Sequence, residues 1–106
     1  MENLHWNYYA YHFKGATWAQ RKYYTAFKRQ KSHAIKRGIY FRFTFEEWTA
    51  WWEENLGPDW FKKRGRRKGQ YVMARFEDKG IYTWWNVRCA TVEENRKDLI
   101  GRKYRK

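Results

Sequence analysis

The fold of this chain is decided by residues 70–95, which read QYVMARFEDKGIYTWWNVRCATVEEN. The first seven of these residues are mostly apolar, with β-branched and aromatic members, and the EDKG that follows has the composition of a turn. A second short run, residues 86–90, leads into Thr91, whose spacing to Glu94 is the Thr-x-x-Glu of a capping box. The pattern predicts a strand, a loop, a second strand and a helix that begins at Val92.

The composition combines a high positive charge with many aromatic residues. Lys and Arg number 24 against 11 Asp and Glu, a formal net charge of +13, and 23% of the residues are aromatic although the mean hydropathy is -1.16. Disordered basic tails contain few aromatic residues, so a folded domain is favoured, and the charge favours a polyanionic partner, DNA or RNA above all. No long apolar segment or basic amphipathic anchor points to a membrane.

We expect one α+β domain over residues 1–106, because this length suits a single core. The N-terminus lacks the pattern of a secretory signal, and Cys89 is alone, so no intrachain disulfide or cysteine zinc site is expected and a cytoplasmic, reducing location is favoured. The expected parts are an aromatic lead-in at 1–15, a helical part with a basic loop at 16–69, the unit described above at 70–100 and a basic tail at 101–106.

Two helices are expected in the helical part. The first extends from Thr17 to Arg37, stops at Gly38 and carries many basic residues without acidic partners at i+4. Two interpretations of this basic surface therefore remain: it faces phosphates, or it is an ordinary solvated surface. A short strand at 39–43 is expected next, then a second helix that begins with a capping box at Thr44 and continues to about Leu56. Its acidic residues are expected to face away from any phosphates.

Basic residues in the C-terminal half are the candidate nucleic-acid contacts. The run at 62–69 holds six of them and directly precedes the first strand, where a backbone clamp and a solvated loop are the two interpretations. The helix after Thr91 is expected to lie in or along a groove. The three histidines are scattered, and surface or interface roles are the default for each of them. The candidate nucleic-acid-binding residues are Lys62, Lys63, Arg64, Arg66, Arg67, Lys68, Arg75, Arg88, Arg96 and Lys97.

The stretch at 70–95 resembles the HNH (His-Me finger, ββα-metal) endonucleases, particularly the small phage-encoded ones. Those often read Asp-His-Ile-Asp, a glycine-containing loop, Asn-Leu-Arg-Trp-Val-Thr and then x-x-Glu-Asn. The segments that carry the resemblance here are Ala74-Arg75-Phe76-Glu77, the loop through Gly80, Asn86-Val87-Arg88-Cys89-Ala90-Thr91 and Glu94-Asn95. The resemblance covers about a quarter of the chain. It implies a C-terminal ββα unit and a protein of phage or mobile-element type.

The resemblance also indicates what chemistry such a loop carries. In the family, a His in the loop activates water, a neighbouring acid holds one divalent cation, and a His or Asn on the following helix holds the same cation. The corresponding positions here are Arg75 for the His and Ala74 for the acid. A protonated guanidinium cannot activate water as a base, and the methyl group of alanine cannot bind a cation. Asn86 and Asn95 fall at matching positions, where bracing the loop and completing the cap are the structural alternatives.

The expected function is therefore nucleic-acid binding by a degenerate, catalytically inactive HNH-like phage protein without a cofactor. Arg75 would donate to a phosphate where the family activates water. One alternative is an active endonuclease with Mg²⁺ or Mn²⁺, for which Glu77, Asp78 and Asn86 are candidate catalytic residues and Asn95 a candidate metal ligand. The other is a counter-defence inhibitor, anti-CRISPR-like, that acts on a host nucleoprotein complex.

Overall fold

One long helix opens the described part of the chain. The structure, a computed structural model, describes residues 18–97, with side chains from residue 20 onward. Helix α1, Trp18–Lys36, ends in a Schellman motif in which Gly38 has a φ of 75° and the amide of Ile39 donates to the carbonyl oxygen of Ala34 at 2.9 Å. The predicted stop at Gly38 is confirmed.

Some of the sequence-based predictions concern residues outside this described range. These are the cap at Thr17, the aromatic lead-in at 1–15, the end of the C-terminal helix at 98–100 and the basic tail at 101–106. The described residues form a small α+β domain with helices and a two-stranded antiparallel sheet, which agrees with the expected fold class.

Helix α2, Phe45–Leu56, begins with the predicted capping box. The hydroxyl of Thr44 accepts a hydrogen bond from the Glu47 amide at 3.1 Å, and the Glu47 carboxylate accepts one from the Thr44 amide at 2.8 Å. The helix ends at Gly57, whose φ is 91°. A four-residue helix, α3 (Trp60–Lys63), follows; the sequence did not predict it, because four residues are too few to show a helical hydrophobic period.

Residues 39–43 are extended but pair with a neighbour at one point only, so the strand predicted there is not formed. Phe41 makes a single parallel bridge to Tyr82, and the Arg42 amide donates to the Tyr82 carbonyl oxygen at 2.8 Å. Pairing stops because the chain beyond Tyr82 turns into a short 3₁₀ helix, Trp84–Asn86. Burial nevertheless alternates along this segment as in a half-buried strand, since Phe41 and Phe43 are buried while Arg42 is exposed.

The sheet consists of strands β1 (Tyr71–Arg75) and β2 (Val87–Thr91). They are antiparallel, with Arg75 opposite Val87 at the end near the connecting loop. Residues 92–97 are helical and form the described part of helix α4. Its start is capped as predicted, because the Thr91 amide donates to the Glu94 carboxylate at 2.8 Å and the Thr91 hydroxyl accepts from the Glu94 amide at 3.1 Å.

The core is built mainly from aromatic rings contributed by α1, α2 and α3. Trp48, Trp52 and Trp60 are almost fully buried, and the rings of Trp52 and Trp60 stack with centroids 6.0 Å apart. Gln30 of α1 ties this cluster to the sheet: its side chain accepts from Trp48 Nε1 at 2.9 Å and donates to Met73 Sδ at 3.4 Å. These contacts fix α1 against β1 and so define the cleft between them.

Candidate nucleic-acid interface

A cleft of about 550 Å³ lies between α1, the loop that follows α3 and strand β1. None of the described residues that line it is acidic. Arg64 and Arg66, two of the predicted contact residues, lie in its wall. The other basic residues of the wall are Arg29, His33 and Arg37. Within residues 20–97 none of the four arginines forms an ion pair with a carboxylate. We call this site the arginine cleft.

The sequence patterns did not distinguish the residues on the α1 side of the arginine cleft from the other basic residues of this helix. Arg29, His33 and Arg37 are four residues apart, and residues at i, i+4 and i+8 lie on the same face of a helix. Their spacing was therefore the signal that could have separated them from the other basic residues of α1. What the spacing could not show is the opposite wall, since Arg64 is far away in the sequence.

Arg64 is held by aromatic rings rather than by a counter-ion. Its guanidinium carbon lies 5.0 Å from the ring centroid of Trp52, 5.3 Å from that of Trp48 and 5.9 Å from that of Phe61. Its Nε is buried and makes no hydrogen bond. Burial, and secondly the charge of Arg29, lower the pKa of Arg64 from its usual value. Because a guanidinium stays protonated at neutral pH, the cleft contains a partly desolvated positive charge that has no acidic partner within residues 20–97.

The basic loop at 64–69 is fixed to β1 by backbone and side-chain bonds. The amide of Gly65 donates to the Tyr71 carbonyl oxygen at 3.0 Å, and the amide of Arg67 donates to Oε1 of Gln70 at 3.0 Å. A Cβ at Gly65 would overlap the side-chain amide of Gln70. The loop therefore has a defined position, and a glycine at residue 65 is required for it.

The far end of the same loop is attached to α4. The amide of Gly69 donates to both carboxylate oxygens of Glu93, at 3.1 and 3.0 Å, and the amide of Val92 donates to the Gln70 carbonyl oxygen at 2.8 Å. Three predicted contacts, Lys62, Arg67 and Lys68, are exposed beside the cleft. Lys63 is engaged within the fold, because its Nζ donates to the Leu56 carbonyl oxygen at 2.9 Å and lies 3.3 Å from the Asp59 carboxylate.

Arg75 lies outside the arginine cleft and faces the loop between β1 and β2. The residue is 8% exposed, and its side chain donates to the Gly80 carbonyl oxygen at 2.7 Å and to the Asp78 carboxylate at 2.9 Å. Its guanidinium carbon also lies 5.4 Å from the ring centroid of Tyr82. In this arrangement the guanidinium braces the loop, and its two hydrogen bonds are made within the protein.

The candidate catalytic residues share this loop. Asn86 donates to the carbonyl oxygens of Lys79 at 2.8 Å and Ile81 at 2.9 Å, so its amide braces the loop. Glu77 is exposed, and both Glu77 and Asp78 have a positive φ, 55° and 56°. In the part of the chain that the structure describes, no group of three or more His, Cys, Asp or Glu side chains is placed to hold a metal ion.

The remaining predicted residues lie on β2 and α4. Arg88 is half-buried on β2, Asn95 is half-buried on α4, and Arg96 and Lys97 are exposed on α4. None of these four lines the arginine cleft. On β2, burial raises the pKa of the free thiol of Cys89 to about 11, with a further contribution from the charge of Glu94.

Comparison with protein-family models, curated proteins and solved structures finds no match for this chain. None of the helices in the described range is both long enough and apolar enough to span a bilayer. The fold and the site together define a small α+β domain with an arginine-lined cleft at the junction of a long helix, a basic loop and a two-stranded sheet.

Proposed function

We propose that this protein binds nucleic acid, with backbone phosphates seated in the arginine cleft. The observation that carries the proposal is the lining of the cleft, where four arginines and a histidine converge without an acidic residue among the described lining. The planar guanidinium group matches the oxygens of a phosphate and forms charge-assisted hydrogen bonds with them. A phosphate would supply the counter-charge that Arg64 does not find among the described residues.

The charge around the cleft favours a polymer over an isolated small anion. Exposed Arg67 and Lys68 on the basic loop, and Lys62 on the preceding helix α3, add further positive charge next to the cleft residues in the sequence. Helix α2 contributes Trp52 to the cleft wall, but none of its acidic residues lines the cleft. A continuous positive surface attracts a polyanion and gives each successive phosphate a cation to contact.

The second part of the proposal is that β1, β2 and α4 correspond to the ββα unit of HNH endonucleases in a phage-encoded protein that acts in the host cytoplasm. The order of the elements, the bracing amide of Asn86 and the cap at Thr91 support it. Position 74 is a buried alanine and position 75 a braced arginine, so the residues that activate water and ligate the cation in that family are replaced. We therefore propose binding without cleavage.

Salt-dependent binding tests the proposal. Fluorescence anisotropy of a labelled oligonucleotide, measured over a range of salt concentrations, should show log affinity falling linearly with log salt. The expected slope is about 0.7 per contacted phosphate for a single strand and about 0.9 for duplex DNA, so three or four contacts give a slope of roughly 2 to 4. No detectable affinity for either DNA or RNA at low salt would remove the proposal.

A further inference from the structure

We infer that the nucleic acid is single-stranded and that Trp84 and Trp85 form a platform on which its unpaired bases stack. This inference rests on the nucleic-acid binding proposed above. Trp84 and Trp85 are unusually exposed, at 64% and 58%, while the tryptophans of the core are almost completely buried. Two adjacent indole rings thus present most of their surface to solvent, which makes an apolar patch that a ligand could cover.

The two rings are arranged so that each offers a free surface. Their centroids are 5.6 Å apart and their planes are 88° apart, so one ring meets the other edge to face. In such a pair, at least one face of each ring is not covered by its partner. Base stacking on an aromatic ring needs such an open face and does not depend on the identity of the base.

The backbone that carries the two rings is firmly held. Trp84–Asn86 form a 3₁₀ turn between Thr83, which is 1% exposed, and the first residue of β2. The amide of Asn86 donates to the Thr83 carbonyl oxygen at 2.9 Å, and the Asn86 side chain bonds to the carbonyl oxygens of Lys79 and Ile81. A preorganised platform loses little conformational entropy when a ligand binds, and this favours stacking.

The tryptophans are also continuous with the arginine cleft. Tyr82 lines the cleft, and Trp84 follows two residues later, so their Cα atoms are at most about 7 Å apart. Beside the rings lies a depression of about 360 Å³ lined in part by exposed Arg42. Glu47, the acidic residue that lines this depression, already accepts a hydrogen bond from the Thr44 amide. A cation, Arg42, therefore shares the depression with the two rings, and the cleft begins two residues before Trp84 along the chain.

A single strand fits this combination better than a duplex. In a duplex the bases stack on each other, and their faces are not available to a side chain, whereas an unpaired base can be turned outward onto an aromatic ring. Single-strand binding sites typically combine a positive groove for the backbone with aromatic rings for the bases. Here the arginine cleft would hold phosphates and Trp84 and Trp85 would hold the adjacent bases.

The test compares three probes with the full chain: an oligothymidylate, an abasic strand with the same number of phosphates, and a duplex of the same length. We expect the oligothymidylate to bind about five- to a hundredfold more tightly than the abasic strand, and more tightly than the duplex. The double variant Trp84→Ala, Trp85→Ala should bind the oligothymidylate as weakly as the abasic strand. Ile35→Ala, which removes another exposed apolar side chain, should keep the wild-type preference.

Equal affinity of the wild-type chain for the oligothymidylate and the abasic strand would overturn the stacking inference while leaving phosphate binding intact. Tighter binding of the duplex would also overturn it. If the rings were instead covered by another copy of the chain, the double variant would change the sedimentation of the protein and leave the ratio of the two single-strand affinities unchanged. Failure of all three probes to bind would refute the proposed function itself, and so the two failures are distinguishable.

Discussion

The guanidinium of Arg64 lies over the indole ring of Trp52, 5.0 Å from the ring centroid, and its buried Nε makes no hydrogen bond. Placing the charged guanidinium there lowers the stability of the fold, because burial and the charge of Arg29 both disfavour its charged form. The aromatic contacts offset part of that cost, and a desolvated cation–π contact contributes about 2 kcal/mol. The proposed phosphate would supply the counter-charge for this guanidinium, and this makes Arg64 the residue on which stability and binding can be separated.

Arg64→Met should therefore separate stability from binding. Methionine packs well against aromatic rings and removes the buried charge, so we expect the free energy of unfolding to stay within about 0.5 kcal/mol of the wild-type value or to rise. Oligonucleotide affinity should fall at least tenfold, because a hydrogen bond to a charged group contributes about 1.5–3 kcal/mol. Urea denaturation and anisotropy measure the two effects. A loss of more than about 1 kcal/mol in stability with unchanged affinity would make Arg64 a structural residue.

Gly65→Ala should weaken binding without changing the charge of the protein. The added Cβ would overlap the Gln70 side chain, which must move and release the Arg67 amide, so the basic loop loses its defined position. We expect a severalfold loss of affinity in the anisotropy assay. Gly38→Ala is the matched control: it also places alanine at a positive φ, yet its Cβ meets nothing within 4 Å, and binding should be unaffected. Wild-type affinity in the Gly65 variant would show that loop geometry is unimportant.

Arg75→Met should destabilise the fold and leave binding unchanged. The variant removes both hydrogen bonds that the guanidinium donates within the loop, which we expect to lower the free energy of unfolding by about 1–3 kcal/mol. Chemical denaturation gives the first quantity and anisotropy, at a temperature where the variant is folded, the second. A large loss of affinity at wild-type stability would instead support the phosphate contact that the HNH-like motif suggested for this residue.

Asn86→Ala should act on the same loop. Its side-chain amide serves two carbonyl oxygens, and loss of both bonds is expected to lower the free energy of unfolding by about 1–3 kcal/mol. Asn55→Ala offers a control, because Asn55 donates one exposed bond to the Trp51 carbonyl oxygen and its loss should change stability by about 0.5 kcal/mol or less. Equal effects of the two substitutions in urea denaturation would contradict the bracing role of Asn86.

The thiol of Cys89 should react slowly at pH 8. Its pKa is raised to about 11, mainly by burial, so the reactive thiolate becomes abundant only as the pH approaches that value. Because the native state retains this proton longer than the unfolded chain, whose thiol titrates near 9.0, the free energy of unfolding should fall between about pH 9 and 11. Alkylation rates and denaturation curves measure this, with Cys89→Ala as the control. Alkylation of the folded protein as fast as of the unfolded chain would contradict it.

Incubation of plasmid DNA with the protein and Mg²⁺ or Mn²⁺ should leave the plasmid intact. The chemical reason is that position 74 carries no ligand and position 75 a guanidinium, which is not a base near neutral pH. Cleavage that is abolished by Asn95→Ala or by Glu77→Gln would establish the alternative of an active endonuclease. A pull-down from host lysate that survives nuclease treatment would favour the counter-defence alternative, since a complex mediated by protein does not depend on nucleic acid.

Local signals in the sequence predicted most of the elements. The capping boxes at Thr44 and Thr91 depend on residues three positions apart, so they could be read before the fold was known. The arginine cleft could not, because it depends on how α1 packs against the loop that holds Arg64. The role of Arg75 was equally hidden: a place in a motif does not show whether a guanidinium points to solvent or bonds inside its own loop.

The most direct test of the arginine cleft compares two double variants that remove the same charge. One is Arg29→Gln with Arg64→Met, both in the cleft, and the other is Lys22→Gln with Lys36→Gln, both exposed on α1 outside it. At one salt concentration we predict at least a hundredfold loss of oligonucleotide affinity for the cleft variant and less than about threefold for the control. Equal losses for the two variants would contradict a phosphate site in the cleft and leave only a general effect of charge.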